Sequence, residues 1–212
     1  MLSRFLVAVA AMVAVVVASN YLVQFPVAAQ LGPINLADIL TWGAFTYPVA
    51  FLVTDLTNRH FGPVIARRVV YVGFAIAIVW SVAVASPRIA IASGTAFLLA
   101  QTLDVVIFDR LRASPHWWRA PLASSLLGSV IDTVLFFGVA FSASFAVLDT
   151  GLGRSDGSLA FPVPFLGVGG EVPLWVSLAA GDFIVKMLVA LALLAPYRVL
   201  RSLIADRSAA LA

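Results

Sequence analysis

The sequence predicts an all-α polytopic membrane protein: a single transmembrane domain over residues 1–212, a bundle of six helices with both termini in the cytoplasm. Three observations carry this. The first is composition: 62% of the residues are hydrophobic and 11% charged, with a mean hydropathy of +1.06. A soluble domain carries about 25% charged residues and about half apolar ones. Such a chain cannot clothe itself for water, but its surface suits hydrocarbon. The second is six apolar stretches, each long enough to cross ~30 Å of hydrocarbon at about 1.5 Å per residue. The third is the distribution of basic residues between alternate loops.

Taken in order, the spans are predicted at Phe5–Phe25, Ile39–Thr57, Val64–Ala85, Ile89–Phe108, Ala120–Ala146 and Val172–Leu194. In the first, Arg4 and the run Phe5–Ala18 have the outline of a signal peptide. Apolar character continues past Val17-Ala18-Ser19 to Phe25, so the segment is read as a retained helix. Its Ala10, Ala14 and Ala18, four apart, offer a smooth face for close helix packing. In the second, Pro48 is expected to kink the helix. With the N-terminus inside, Arg4, Arg59, Arg67, Arg68, Arg110, Arg112, Arg119, Arg198, Arg201 and Arg207 all fall on the cytoplasmic side, and Arg88 and Arg154 outside. This asymmetry accounts for the net charge of +3 without a nucleic-acid partner. The longest loop, Val147–Glu171, is external, glycine-rich and expected to be a flexible linker.

Ionisable residues inside the spans carry the functional reading. Each costs roughly 2.5–3.5 kcal/mol at a helix centre. They are Asp55, Asp104, Asp132, Asp182 and Lys186. Asp132 and Asp182 fall near the midplane, and Lys186 lies one turn beyond Asp182 on the same face. Spacing permits in-helix pairs Asp182–Lys186 and Asp55–Arg59. Asp132 and Asp104 have no basic neighbour in their own helices, so they must meet Lys186, bind a ligand or carry a proton. Gln101, one turn before Asp104, and Thr133, beside Asp132, extend the polar set, as do Asn20 and Gln24 in the first span. An aromatic belt accounts for most tryptophans, while Trp42 and Tyr47 are candidates to stack on a planar ring. The candidate substrate-binding residues are therefore Gln24, Trp42, Tyr47, Asp55, Gln101, Asp104, Asp132, Thr133, Asp182 and Lys186.

Other chemistries lack their residues. There is no G-x-x-x-x-G-K-[ST], and the one lysine is intramembrane, so ATP is not held by a P-loop. There are no cysteines, and His60 and His116 show no ligand-spaced carboxylates, so neither a metal nor a cofactor is expected. No G-x-S-x-G elbow occurs, and Ala179 breaks the Gly-x-Gly-Asp pattern of intramembrane aspartyl proteases. The chain is read as a transporter rather than an enzyme.

Several segments together resemble one family. They are Tyr21-Leu22-Val23-Gln24-Phe25, Trp42-Gly43-Ala44-Phe45-Thr46-Tyr47-Pro48, Thr54-Asp55-Leu56-Thr57-Asn58-Arg59 with Phe61-Gly62, and Gln101-Thr102-Leu103-Asp104 with Phe108-Asp109-Arg110-Leu111-Arg112. Trp117-Trp118 with Ala120-Pro121, the stretch Ser124–Thr133, and Asp182 with Lys186 complete the set. From Asn20 to Lys186 the chain is similar to the queuosine precursor transporters of the vitamin-uptake-transporter group, except in the external loop around Asp149–Gly170. The resemblance implies import of a 7-deazaguanine, such as 7-cyano-7-deazaguanine or its aminomethyl form, across a bacterial inner membrane for transfer-RNA modification. A carboxylate of Asp132 or Asp104 would accept from the ring's N–H edge, with Gln101 and Lys186 completing the site. Two alternatives remain: a substrate-binding subunit of an energy-coupling-factor transporter working with an ATPase module, and a membrane scaffold without transport. The sequence leaves open proton coupling, facilitated diffusion and a homo-oligomeric state.

Overall fold

Apolar runs free of internal glycine–proline pairs become long helices, and such pairs break them. The computed structural model describes residues 2–32, 34–84 and 86–209, with side chains at 5–32, 34–82 and 86–204. Ala85, the end of the third predicted span, and the side chains of Arg4 and Arg207 lie outside the described residues. The helices are α1 (Leu2–Leu22), α2 (Gly43–Thr46), α3 (Pro48–Val84), α4 (Pro87–Leu111), α5 (Arg119–Phe141), α6 (Val147–Thr150) and α7 (Leu174–Ala209). Among the described residues, five helical segments are long and apolar enough to cross a membrane: Phe5–Leu22, Gly43–Val82, Pro87–Leu111, Arg119–Phe141 and Leu174–Ile204.

Most of the second and third predicted spans thus falls in one 40-residue apolar helical stretch, which begins four residues after the start of the second. At 1.5 Å per residue its length is about twice the hydrocarbon thickness. It is not straight. Gly62 has φ 80° and ψ 173°, a backbone region that essentially only glycine occupies, and Pro63 follows. The arms on either side of Gly62 climb α4 in opposite directions. Along the first arm, Tyr47 meets Phe97, Thr54 bonds Gln101, and Asn58 donates to the Val105 carbonyl. Along the second, Gly73 lies against Phe97 and Ile78 against Gly94. Pro48 interrupts that stretch as expected: α2 ends before it and α3 begins on it, where its missing N–H costs nothing at a first helical position. At α4 the same preference recurs: Ser86 caps the helix, its Oγ accepting from the Ile89 N–H, and Pro87 follows.

The core runs between α1, α3 and α4 through Met12, Val16, Val69, Val70, Ala77 and Phe97. Ala10, Ala14 and Ala18 point outward, so the small-residue face of α1 is not the one packed within the chain. Large apolar side chains such as Val7, Val79, Val134 and Leu188 are exposed, as a lipid-facing surface requires. One end of the bundle gathers Arg59, Arg112, Phe108, Trp117, Tyr197 and Arg198: Arg59 bonds Tyr197 and the Arg112 carbonyl, Phe108 and Trp117 pack with Tyr197, and Arg198 stands over Trp117. Arg88 belongs to the opposite end.

Two short antiparallel hairpins qualify the all-α expectation. They are β1 (Gln30–Leu31) with β2 (Ile34–Asn35), and β3 (Pro162–Pro164) with β4 (Glu171–Pro173), the latter in register Val163 opposite Val172. Both lie in loops at the Arg88 end. The expected linker Val147–Glu171 is built rather than free. Arg88, 1% exposed, donates to the Val139 and Ser142 carbonyls, to Asp149 at 2.9 Å, to Ser158 at 3.1 Å and to Asp156 at 3.4 Å. The Asp149 carboxyl also accepts from the Gly157 N–H at 3.1 Å. Hydrogen bonding from Arg88 holds this carboxyl below its ordinary value of 3.8. Five bonds from one guanidinium tie α4, α5 and the loop together, a geometry that the planar fork of arginine supplies.

Candidate functional site

Midway through the bundle, α5 and α7 bring three charges together. Lys186 Nζ lies 2.7 Å from Asp132 Oδ2 and 2.5 Å from Asp182 Oδ2. It also donates to Thr133 Oγ1 at 3.3 Å, and Thr133 donates to Asp182 Oδ2 at 3.0 Å. All four residues are buried. The predicted in-helix Asp182–Lys186 pair forms, and Asp132 joins it from 54 positions away. The ammonium sits 4.9 Å from the centroid of the Tyr47 ring, whose electron-rich face attracts it. Tyr47 Oη lies beside Asp132 without reaching hydrogen-bond geometry. Two carboxylates against one ammonium leave one negative charge in excess, in a medium where an uncompensated charge is costly.

Tyr47, Asp132, Asp182 and Lys186 line a cavity of about 40 Å³ together with Ser19, Asn20, Val23, Gly43, Ser93 and Phe136. Ser93 donates to Asn20 Oδ1 at 3.2 Å, so α1 and α4 close its far wall. The space suffices for water. It is far below the roughly 300 Å³ or more of a small-molecule pocket, so a ring can enter only if the walls part. What closes it is the segment between α1 and α3. A Cβ on Gly181 would lie 2.1 Å from the Ile39 carbonyl oxygen, and one on Gly43 would lie 2.9 Å from Val23. Only glycine lets this segment lie on α7 beside Asp182. It packs through Val27, Ile39, Leu40 and Ala44 against Val185, with Ile34 and Leu166 joining the two hairpin loops over the top. Ser177 accepts from the Leu166 N–H at 2.9 Å and fixes that junction.

Asp55, Gln101 and Asp104 form a separate cluster toward the arginine-rich end. Asp55 is 1% exposed, while Asp104 and Gln101 are fully buried. The two carboxyl groups lie within hydrogen-bonding range of each other, with Ser124 donating to Asp55 Oδ1 at 3.1 Å. Thr54 donates to Gln101 Oε1 at 2.6 Å. The sequence-level Asp55–Arg59 pair does not form. Arg59 instead donates to Tyr197 Oη at 3.3 Å and to the Arg112 carbonyl at 2.7 Å, and stands over the Phe108 ring. Phe51 separates the two clusters. It is 1% exposed, edge-on to Tyr47, and packed so tightly on Gly128 that a Cβ there would be 2.7 Å from its ring. On α5, Ser124 and Asp132 stand one turn to either side of Gly128, about 12 Å apart along the axis.

The structure therefore brings together Tyr47, Asp132, Thr133, Asp182 and Lys186, and places Asp55, Gln101 and Asp104 in a second group. It puts Gln24 and Trp42 on the exterior, Trp42 against Phe45 and Gln24 bonded to the Asn20 carbonyl. Sequence reasoning did not single out Ser19, Ser93 or Phe136 as site residues, and it gave Gly43 and Gly128, which fall in the segments it quoted, and Gly181 no packing role. Glycines at such spacing inside apolar helices are the one signal that could have flagged the close approaches.

Comparison with known proteins follows the same lines. The family model described as a putative vitamin uptake transporter matches residues 41–86 and 81–200. The queuosine precursor transporter of Escherichia coli is 35% identical over 216 aligned positions, covering 92% of this chain and 85% of that protein. The probable queuosine precursor transporter of Haemophilus influenzae is 36% identical over 61% of this chain and 66% of its own length. That of Bacillus subtilis is 27% identical over 48% and 56%. No solved structure matches. With relatives that are bacterial transporters and helices able to cross a membrane several times, this is a multi-pass inner-membrane protein that takes a small-molecule substrate. The chain belongs to the putative vitamin uptake transporter family, among the queuosine precursor transporters its sequence resembles.

Proposed function

We propose that the chain imports a queuosine precursor, a 7-deazaguanine, and binds it at the Asp132–Asp182–Lys186 cluster. The observation that carries this reading is a buried polar cavity whose charges are unequal. Asp132 and Asp182 each use one oxygen on Lys186 and line the cavity. A guanine-like ring presents adjacent N–H donors that a carboxylate accepts in pairs, and a carbonyl that an ammonium meets. Tyr47 and Phe136, also in the lining, offer aromatic faces. The names of the relatives support the same substrate class. A scaffold would need no polar cavity, and the cavity beside these charges counts in favour of transport.

The reading includes six crossings, with Gly62 joining the second and third at the cytoplasmic surface and both termini on that side. The opposed arms of α3 and the collection of arginines at one end support it. The glycine-gated segment over Asp182 and Lys186 is then the outer cover of the site. Cells unable to make 7-cyano-7-deazaguanine provide the test: with this chain they should restore queuosine in transfer RNA from low external precursor. A correctly inserted chain that restores none would overturn the assignment, and normal uptake by Asp132→Asn would overturn the site.

A further inference from the structure

Among the described residues the buried carboxyls of Asp55 and Asp104 form no ion pair, and Arg59, near enough to act on Asp55, makes none with it. From α3, Arg59 is committed to Tyr197, the Arg112 carbonyl and the Phe108 face. From α7, Lys186 is held by Asp132 and Asp182, and Tyr197 receives Arg59. From α5 the facing group is Ser124, and from α4 it is Gln101. Between Phe5 and Asn20, α1 has no ionisable side chain. Neither oxygen of Asp104 has a partner at full hydrogen-bond geometry, although the residue is fully buried and Ser124 lies beside it. Gln101 Nε2 and Ser129 Oγ are likewise buried and unpartnered nearby on α4 and α5. Two ionised carboxylates this close, shielded from water, cannot both persist. One hydrogen between them removes a charge and supplies the donor that Asp104 lacks.

We propose that Asp55 and Asp104 form a proton-binding site, sharing one exchangeable proton that couples import to the transmembrane proton gradient. The coupling rests on the transport reading above; the proton site itself does not. With the proton in place, a neutral carboxyl donates to its carboxylate partner, and α3, α4 and α5 stay closed below Phe51. When the proton leaves to cytoplasmic water, two negative charges face each other in low dielectric. Their repulsion and hydration part the same three helices and open the inner route past the Phe51–Gly128 contact. A cavity of about 10 Å³ from Asp55 and Ser125 to Tyr197 marks the side toward which that route opens. No bond other than O–H is made or broken. The pair takes its proton from outside water while the outer cover is open and gives it to cytoplasmic water while the inner route is open, so each cycle carries one proton inward with one ring.

The full-length chain in proteoliposomes tests this in two ways. Infrared difference spectra should show a protonated-carboxyl C=O band at neutral pH that is absent from the Asp55→Asn/Asp104→Asn double variant. A wild-type chain without that band overturns the proton site, whatever it transports. In parallel, labelled 7-cyano-7-deazaguanine should accumulate about tenfold per unit of imposed inward pH gradient for one proton per ring. Asp104→Asn, which mimics the protonated carboxyl, should hold the inner route shut and lose both accumulation and exchange, and a variant that still exchanges internal for external label would overturn the gating role. Exchange without any response to the pH gradient, or accumulation driven by a sodium gradient instead, overturns the coupling. A wild-type chain that neither binds nor exchanges the ring refutes the substrate reading instead, and the infrared band still decides the proton site.

Discussion

A single lysine sets the electrostatics of the outer site, and its partners are not equivalent. Lys186→Met would leave Asp132 and Asp182 facing each other with only Thr133 between them. Removing one member of a buried ion pair costs about 3–5 kcal/mol, so this variant should show a strongly lowered Tm in detergent as well as no uptake. Asp182→Asn should be milder in stability, because it leaves one carboxylate against one ammonium and the Thr133 hydroxyl can still donate to the amide oxygen. A Lys186→Met Tm no lower than that of Asp182→Asn would refute this charge accounting. At this scale the sequence was informative because intramembrane charge is scarce: every charged residue it singled out in the spans is buried. It could not tell which of them meet. In-helix spacing reveals Asp182 beside Lys186 but not Asp132, and it made Asp55–Arg59 look like a pair. The arginine's long stem carries its head past Asp55 to Tyr197 on another helix.

At the scale of elements, glycines decide where the chain turns and where segments touch. Gly62→Ala forces a Cβ into a backbone region costing about 1–3 kcal/mol, although no atom lies within 4 Å of the added methyl. Its Tm should fall by that strain alone, and a Gly62→Ala chain as stable as wild type would mean the turn is not built as described. Gly181→Ala meets a harder obstacle, the Ile39 carbonyl at 2.1 Å. Here the outer segment must lift, so the prediction concerns function: faster access of a maleimide to a cysteine placed at Ser93, and weakened ring retention. Unchanged access would show that the segment does not cover the site. The external loop has its own pH signature. The guanidinium of Arg88 keeps Asp149 ionised below the ordinary carboxyl value, so its contribution is complete above pH 3.8 and is lost only as pH falls through the lower folded value. Hydrogen exchange at the Gly157 amide, which donates to Asp149, should stay protected at pH 3.8 and rise in stronger acid. Loss of protection already above pH 3.8 would contradict the clamp. Glycine content had made this loop look like a linker. What the composition could not show was a distant arginine, drawn from the start of α4, that the loop wraps.

Across the whole molecule, the apolar runs located the long helices well because hydrocarbon length and hydropathy act on each segment separately. Connections were harder, since a glycine–proline pair between two apolar runs reads equally as a loop or as a kink in one long helix. The backbone at Gly62 and the reversed contacts along α4 favour a hairpin. The consequence can be checked on the intact chain, which has no native cysteine to obscure the result. With six crossings, the loop between α5 and α7 is external and the loop between α4 and α5 cytoplasmic. A cysteine replacing the exposed Ser155 should then react with a membrane-impermeant maleimide on intact cells. One replacing the exposed Ala113 should react only after permeabilisation, and so should one at Ser202 near the C-terminus. With a single crossing by the Gly43–Val82 stretch, the loops that follow would exchange sides relative to the N-terminus. An N-terminal tag found inside while Ser155→Cys is also labelled only from inside would therefore establish five crossings. The tag and Ser155→Cys on opposite sides, with Ser202→Cys on the tag's side, require the even count that a turn at Gly62 provides.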